Sequence, residues 1–210
     1  MKRVVFCLTL AALPSLGGAR QAPVASVVLF THFQEEPSAA IREALQSELE
    51  SIMDPVGLHF AWRSLNGREN ATATELVVVT FQGRCDVDRL QPIEILPGPL
   101  GWTHVSEGVV LPFSDVDCTA VRSFLQRDLL ARPPGLREEI YGRALGRVLA
   151  HELYHVLAGT SSHGACGVAK SGYTVGDLLA PEFVFEAAEL RTLLESKAHQ
   201  ILERAAIDAP

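Results

Sequence analysis

Runs of basic residues, internal repeats and low-complexity tracts are all missing from this 210-residue sequence. Proteins that bind nucleic acid or anionic membranes carry clustered Lys and Arg. This chain has 18 Lys and Arg against 25 Asp and Glu, a formal net charge of −7. The missing basic clusters make nucleic acid and anionic membrane poor partners for it.

Long apolar runs are almost as scarce, because only residues 4–16 form one. This run is shorter than the roughly 20 residues that cross a bilayer. Lys2 and Arg3 precede it and a small-residue segment follows it, the pattern of a secretory signal peptide. We expect residues 1–19 to be a signal peptide cleaved before Arg20, which makes the protein secreted or periplasmic and free of the membrane afterwards.

The expected mature chain, residues 20–210, is long enough for one domain with a core of its own. Losing Lys2 and Arg3 with the signal peptide leaves 16 basic against 25 acidic side chains, a net charge of −9. We expect this single domain to act as a monomer.

Cysteine is also rare, with four in the chain and one of these, Cys7, in the expected signal peptide. The other three would meet an oxidising compartment, where one disulfide and one odd thiol is the simplest arrangement. We predict a Cys85–Cys118 disulfide because both residues flank one strand-rich segment. Cys166 is then left as a buried thiol or a metal ligand.

Hydrophobic periodicity and turn residues predict the element order. Strands are predicted at 24–33, 58–64 and 74–83, a hairpin at 102–113, and helices at 38–53, 114–130, 136–159 and, opened by Pro181, 181–205. The near-continuous apolar run at 74–83 is typical of a central strand. Because strands and helices do not alternate, the pattern favours an α+β domain over a doubly wound one.

The stretch HELYH places His151, Glu152 and His155 in the long predicted helix. Residues four apart share a helix face, so both imidazoles can reach one tetrahedral zinc ion. Glu152 lies beside the first of them and can take a proton from an attacking water. The H-E-x-x-H pattern thus predicts a catalytic Zn²⁺ site.

A catalytic zinc also needs a third protein ligand and an open fourth position. His163 is one candidate, because Gly159 lets the chain turn back under the metal. The glutamates of the last predicted helix, Glu182, Glu186 and Glu189, are the other. Cys166, three residues after His163, would instead close the site and make it structural.

The segment HELYHVLAGTSSH resembles the zincins, the H-E-x-x-H metallopeptidases. Metzincins have H-E-x-x-H-x-x-G-x-x-H and a methionine turn. This segment is more similar to small exported zincin-like proteins with H-E-x-x-H-x(4)-T-x-x-H and a G-[LV]-M-[KR] turn. Thr160 and His163 match that pattern, and GVAK stands at the turn with Ala169 in place of the methionine.

The resemblance implies a zincin-like α+β fold: a mixed sheet, a long active-site helix and a C-terminal helix. His151, His155 and His163 would hold zinc, Glu152 would be the general base, and Tyr173 would stabilise the oxyanion. The strand around His104 would take the substrate along its edge, with His104 near the cleft. The implied function is an exported zinc metallopeptidase acting on proteins or peptides. The alternatives are a catalytically inactive zincin-like binding protein and a structural zinc domain closed by Cys166.

Overall fold

The computed structural model describes residues 25–67, 75–90 and 98–207, so the predicted signal peptide lies outside the described residues. Five strands are described: β1 Ala25–Glu35, β2 Leu58–Ser64, β3 Glu75–Arg84, β4 Gly101–Ser106 and β5 Val109–Asp117. The helices are α1 Ala39–Met53, α2 Cys118–Leu130, α3 Pro134–Ala158, α4 Val175–Leu179, α5 Ala187–Leu194 and α6 Lys197–Ile207. None of these helices is both long and apolar enough to cross a bilayer.

The strands form one mixed sheet in the order β2-β1-β3-β5-β4. Strands β2, β1, β3 and β5 are parallel to one another, and β4 runs antiparallel to β5. The expected α+β class with a mixed sheet is therefore observed, and the apolar strand β3 is central as predicted. Within the described ranges β4 pairs only with β5, which makes it the edge strand on that side of the sheet.

Helices α1 and α3 pack unusually close together because two glycines of α3 face α1. A Cβ on Gly142 would lie 2.5 Å from the Ile41 carbonyl oxygen, and one on Gly146 would lie 2.7 Å from that of Leu45. Real Cβ atoms do not approach this closely, so a larger residue would push the helices apart. The two glycines thus set the position of α3, which carries the HELYH segment.

Arg147, one turn before His151, ties α3 to its surroundings although it is fully buried. Its Nε lies 2.6 Å from Glu48 Oε1, and one of its terminal nitrogens donates to the Asp177 carbonyl oxygen at 3.1 Å. Its guanidinium also stacks 5.0 Å from the ring centre of Phe183. A buried charge needs such partners, and they join α3 to α1 and to the C-terminal part of the chain.

Helix α2 begins later than predicted, because β5 continues to Asp117 instead of ending at Phe113. The side chains of Ser114, Asp115 and Val116 are buried. Asp117 then caps α2, its carboxylate accepting the Ala120 N–H at 2.8 Å. Burial in the sheet therefore overrides the local helical preference of this stretch.

The prediction of one helix opened by Pro181 is wrong. Phe183 and Phe185 are buried, at 9 % and 6 % exposed, whereas Val184 between them is 56 % exposed. This two-residue alternation is that of an extended chain. The helical part begins at Ala187, after a capping box of Glu186 and Glu189, and is interrupted between α5 and α6.

The predicted Cys85–Cys118 disulfide is confirmed, with the two Cα atoms 4.9 Å apart. It links the chain just after β3 to the first residue of α2. Cys166 is free and exposed, so the expectation of a buried thiol is wrong.

Replacing Cys85 and Cys118 together by alanine should lower the free energy of unfolding by about 3–4 kcal/mol. The two residues are 33 apart in sequence, and opening a loop of that length restores conformational freedom to the unfolded chain. Urea denaturation of the protein lacking residues 1–19 measures the change, with Cys166→Ala as the matched control. A double variant as stable as the control would show that the disulfide does not stabilise the fold.

Candidate metal centre

Three buried residues of α3 form the first half of the site. His151, Glu152 and His155 are only 8 %, 4 % and 6 % exposed. The two histidines are one helical turn apart, and their Nε2 atoms face each other at 3.1 Å. The helix therefore brings two imidazole nitrogens to one point, as the spacing predicts.

The end of α3 supplies the second half. Gly159 ends the helix with a φ of 62°, in the left-handed region that favours glycine. Thr160 follows with its N–H bonded to the His155 carbonyl oxygen at 3.1 Å, which reverses the chain. His163 then returns to the site, its ring centre 4.8 Å from that of His155 and 5.3 Å from that of His151. One possible ligand atom from each histidine lies within 4.8 Å of the others.

The protonation of the two buried histidines follows from their backbone contacts. His151 Nδ1 lies 2.8 Å from the Val168 carbonyl oxygen, and His155 Nδ1 lies 2.7 Å from that of Thr160. A carbonyl oxygen only accepts, so each Nδ1 carries the proton and each Nε2 is bare. Two bare nitrogens at 3.1 Å repel each other unless a cation lies between them.

The spacing of these nitrogens fits zinc. Tetrahedral zinc with Zn–N bonds of about 2.0–2.1 Å places its nitrogen ligands about 3.3 Å apart. The backbone carbonyls behind the rings hold them in the orientation that metal-binding histidines require. The residues present thus fit a three-histidine site for zinc.

Burial also keeps the histidines in their metal-binding form. It lowers the pKa of His151 to about 4; the bond to the Val168 carbonyl raises that pKa, and the nearby His155 and His163 lower it. Burial likewise lowers the pKa of His155. Both rings are therefore neutral at neutral pH, the state in which imidazole binds a metal.

Glu152 points toward strand β4 and is not part of the histidine cluster. Its Oε2 accepts a hydrogen bond from the Thr103 hydroxyl at 2.8 Å. Burial raises the pKa of Glu152 to about 7; the Thr103 bond lowers it and the charge of Asp115 adds to the rise. A carboxyl that titrates near neutrality is suited to taking up a proton and giving it back.

Tyr173 reaches the site at the Nδ1 edge of His151, on the other side of the ring from the Nε2 atom that faces His155. Its hydroxyl oxygen lies 2.9 Å from His151 Nδ1 and also donates to the Val168 carbonyl oxygen. Burial raises the pKa of the phenol well above its ordinary value, so it keeps its proton. In this arrangement Tyr173 supports the orientation of His151.

The other candidate ligands lie apart from the cluster. Within the ranges 25–67, 75–90 and 98–207, the three histidines are the only group of His, Cys, Asp and Glu close enough to share a metal. The Cys166 thiol bonds to Glu186, which raises the thiol pKa. Glu189 is buried behind the loop that follows His163, and its Oε2 accepts the Glu186 N–H at 3.0 Å.

On β4 the residue that faces the site is Thr103, not His104. His104 lies against the opposite face of the sheet, its Nε2 2.6 Å from Asp115 Oδ2. Successive side chains of a strand point to opposite faces of the sheet, so neighbours such as Thr103 and His104 lie on different sides. The sequence signal for Thr103 was only its place next to His104 in a predicted edge strand, so sequence reasoning missed it.

Two cavities flank the centre and share Gly101, His151 and Glu152. One has a volume of about 400 Å³ and includes Leu100, Phe124 and Val148 in its walls. The other has a volume of about 320 Å³ and includes Trp102, Val105 and Val110. Together they make an apolar groove across the site, along strand β4.

The chain was also compared with known proteins. No family model matches it, and no curated protein or solved structure is significantly similar to it. Similarity to known proteins therefore indicates no function for this chain. The functional assignment depends on its own side chains, of which His151, His155, His163 and Glu152 form the centre described above.

Proposed function

We propose that this protein is an exported zinc-dependent hydrolase, and specifically a metallopeptidase. The observation that carries the proposal is the pair of bare, buried Nε2 atoms of His151 and His155, which a third histidine completes. A buried carboxylate, Glu152, follows directly after the first of these ligands. The disulfide supports export, because such bonds persist in oxidising compartments.

In the proposed hydrolysis the histidines and Glu152 have different roles. His151, His155 and His163 would hold zinc, which supplies Lewis-acid chemistry when bound, making water more acidic and a carbonyl more electrophilic. Glu152 takes a proton from the attacking water and returns it to the leaving amine. Three protein ligands leave a fourth position open, the mark of a catalytic site as opposed to a structural one.

The groove supports a polypeptide as the substrate. Edge strand β4 borders both cavities, and an extended peptide can add to such an edge through main-chain hydrogen bonds. The apolar walls on either side of the site can take side chains that flank the bond to be cut. We therefore propose protein or peptide substrates for a monomeric enzyme.

The purified mature protein should contain one zinc ion per chain and should cleave an unfolded protein. Elemental analysis after purification without chelator measures the metal, and 1,10-phenanthroline should remove zinc and cleavage together. Adding back zinc should restore both. Zinc without cleavage would instead indicate a metal-holding binding protein, and a protein without zinc would contradict the proposal.

A further inference from the structure

The hydroxyl groups of Thr103 and Ser114 form a chain that ends on Glu152. Thr103 Oγ1 lies 2.8 Å from Glu152 Oε2 and 3.0 Å from Ser114 Oγ. It also lies 3.1 Å from the Glu152 main-chain oxygen. Ser114 is 2 % exposed, so its hydroxyl has no access to bulk water.

The direction of this chain follows from counting protons. Thr103 has a single hydroxyl proton, and an ionised carboxylate is a stronger acceptor than a carbonyl oxygen. Thr103 therefore donates to Glu152 Oε2, at the shorter of its two distances to Glu152. Its lone pairs are then free to accept a hydrogen bond from the Ser114 hydroxyl. Ser114 thus donates to Thr103, and Thr103 donates to Glu152.

The second oxygen of Glu152 lies against the same strand. A Cβ built on Gly101 would be 3.0 Å from Glu152 Oε1. Gly101 and Thr103 are two residues apart on β4 and so face the same side of the sheet. The strand thus bonds one carboxylate oxygen with a hydroxyl, and Gly101, which has no side chain, lies beside the other in the wall that the two cavities share.

From this geometry we infer that Thr103, supported by Ser114, is a positioning residue that holds Glu152 with one oxygen bonded and the other free to take a proton. The inference rests on the proposed function, because it assigns Thr103 a role in the same reaction. The candidate metal ligands are His151, His155 and His163, whereas the hydrogen bonds of the Thr103 hydroxyl go to Glu152 and Ser114. Its loss should therefore affect turnover and leave metal binding unchanged.

Thr103→Val removes the hydroxyl and keeps the shape of the side chain. We expect kcat on a fluorogenic peptide, built on a cleavage site mapped in an unfolded protein, to fall by about 10- to 100-fold, as for a catalytic group displaced by a fraction of an ångström. KM and zinc content should stay close to wild type. Thr103→Ser restores the hydroxyl and should keep kcat within about 3-fold. Thr80→Val, on the opposite face of the sheet, is the matched control.

A spectroscopic measurement separates this inference from the proposed function. In protein labelled with ¹³C at glutamate carboxyl carbons, the Glu152 signal is the one lost in Glu152→Gln. It should shift in Thr103→Val and return in Thr103→Ser. If the signal of Thr103→Val does not shift, or shifts while kcat stays at the wild-type value, the role of Thr103 is overturned and the proposed function is unaffected. Absence of turnover in the wild type overturns the proposed function, and with it any role of Thr103 in catalysis.

Discussion

Glu152→Gln is expected to lower turnover of an unfolded protein substrate by at least about 10²-fold, the scale of general-base catalysis. Glutamine keeps the size of the side chain and can still accept the Thr103 hydrogen bond at the position of Oε2. It cannot take a proton from water. Because Glu152 lies outside the histidine cluster, zinc content should be unchanged. Zinc analysis and initial rates on the same preparation measure both effects.

The matched control for this variant is Glu139→Gln, which makes the same change at an exposed position of the same helix. It should have wild-type activity and the wild-type metal content. Equal rates in wild type, Glu152→Gln and the control would mean that Glu152 is not the base, or that a contaminating protease produced the cleavage.

The parts of the site that lie close together in sequence could be predicted. His151 and His155 are related by a single helical turn, so their common face follows from the helix alone. Gly159 indicated where that helix ends, because a left-handed residue is needed to reverse the chain. The Cys85–Cys118 pairing was also predictable, because the two residues flank one strand-rich segment of the sequence.

Contacts between distant segments could not be predicted in the same way. Thr103 meets Glu152 across 49 residues of sequence, and the contact depends on the register of β4 against β5. The buried partners of Arg147 come from α1 and from the segment around Asp177. The stretch at 181–186 was predicted to open a helix because Pro181 suits a first helical position. Burial of Phe183 and Phe185 on either side of the exposed Val184 instead gives it an extended conformation.

His163→Ala should remove zinc from the protein during dialysis, with a loss of affinity of at least about 10²-fold, beyond the 10- to 100-fold typical of outer-shell changes. The reason is geometric: His163 is the third member of the cluster, and two ligands hold zinc poorly. His59→Ala, at an exposed position of β2, is the matched control and should retain the metal. Zinc retained per chain is measured as free zinc is lowered with a competing chelator.

The same dialysis decides between His163 and the C-terminal glutamates as the third ligand. Glu182→Ala combined with Glu186→Ala should keep zinc, since both side chains are exposed and neither belongs to the cluster. Three neutral histidines leave the full charge of +2 on the bound ion, whereas a glutamate ligand would reduce it to +1 and make the water at the open position less acidic. Zinc retained by His163→Ala but lost by the double variant would move the third ligand to the C-terminal segment. His163 would then be a cleft residue, and Glu152 would act on a weaker acid.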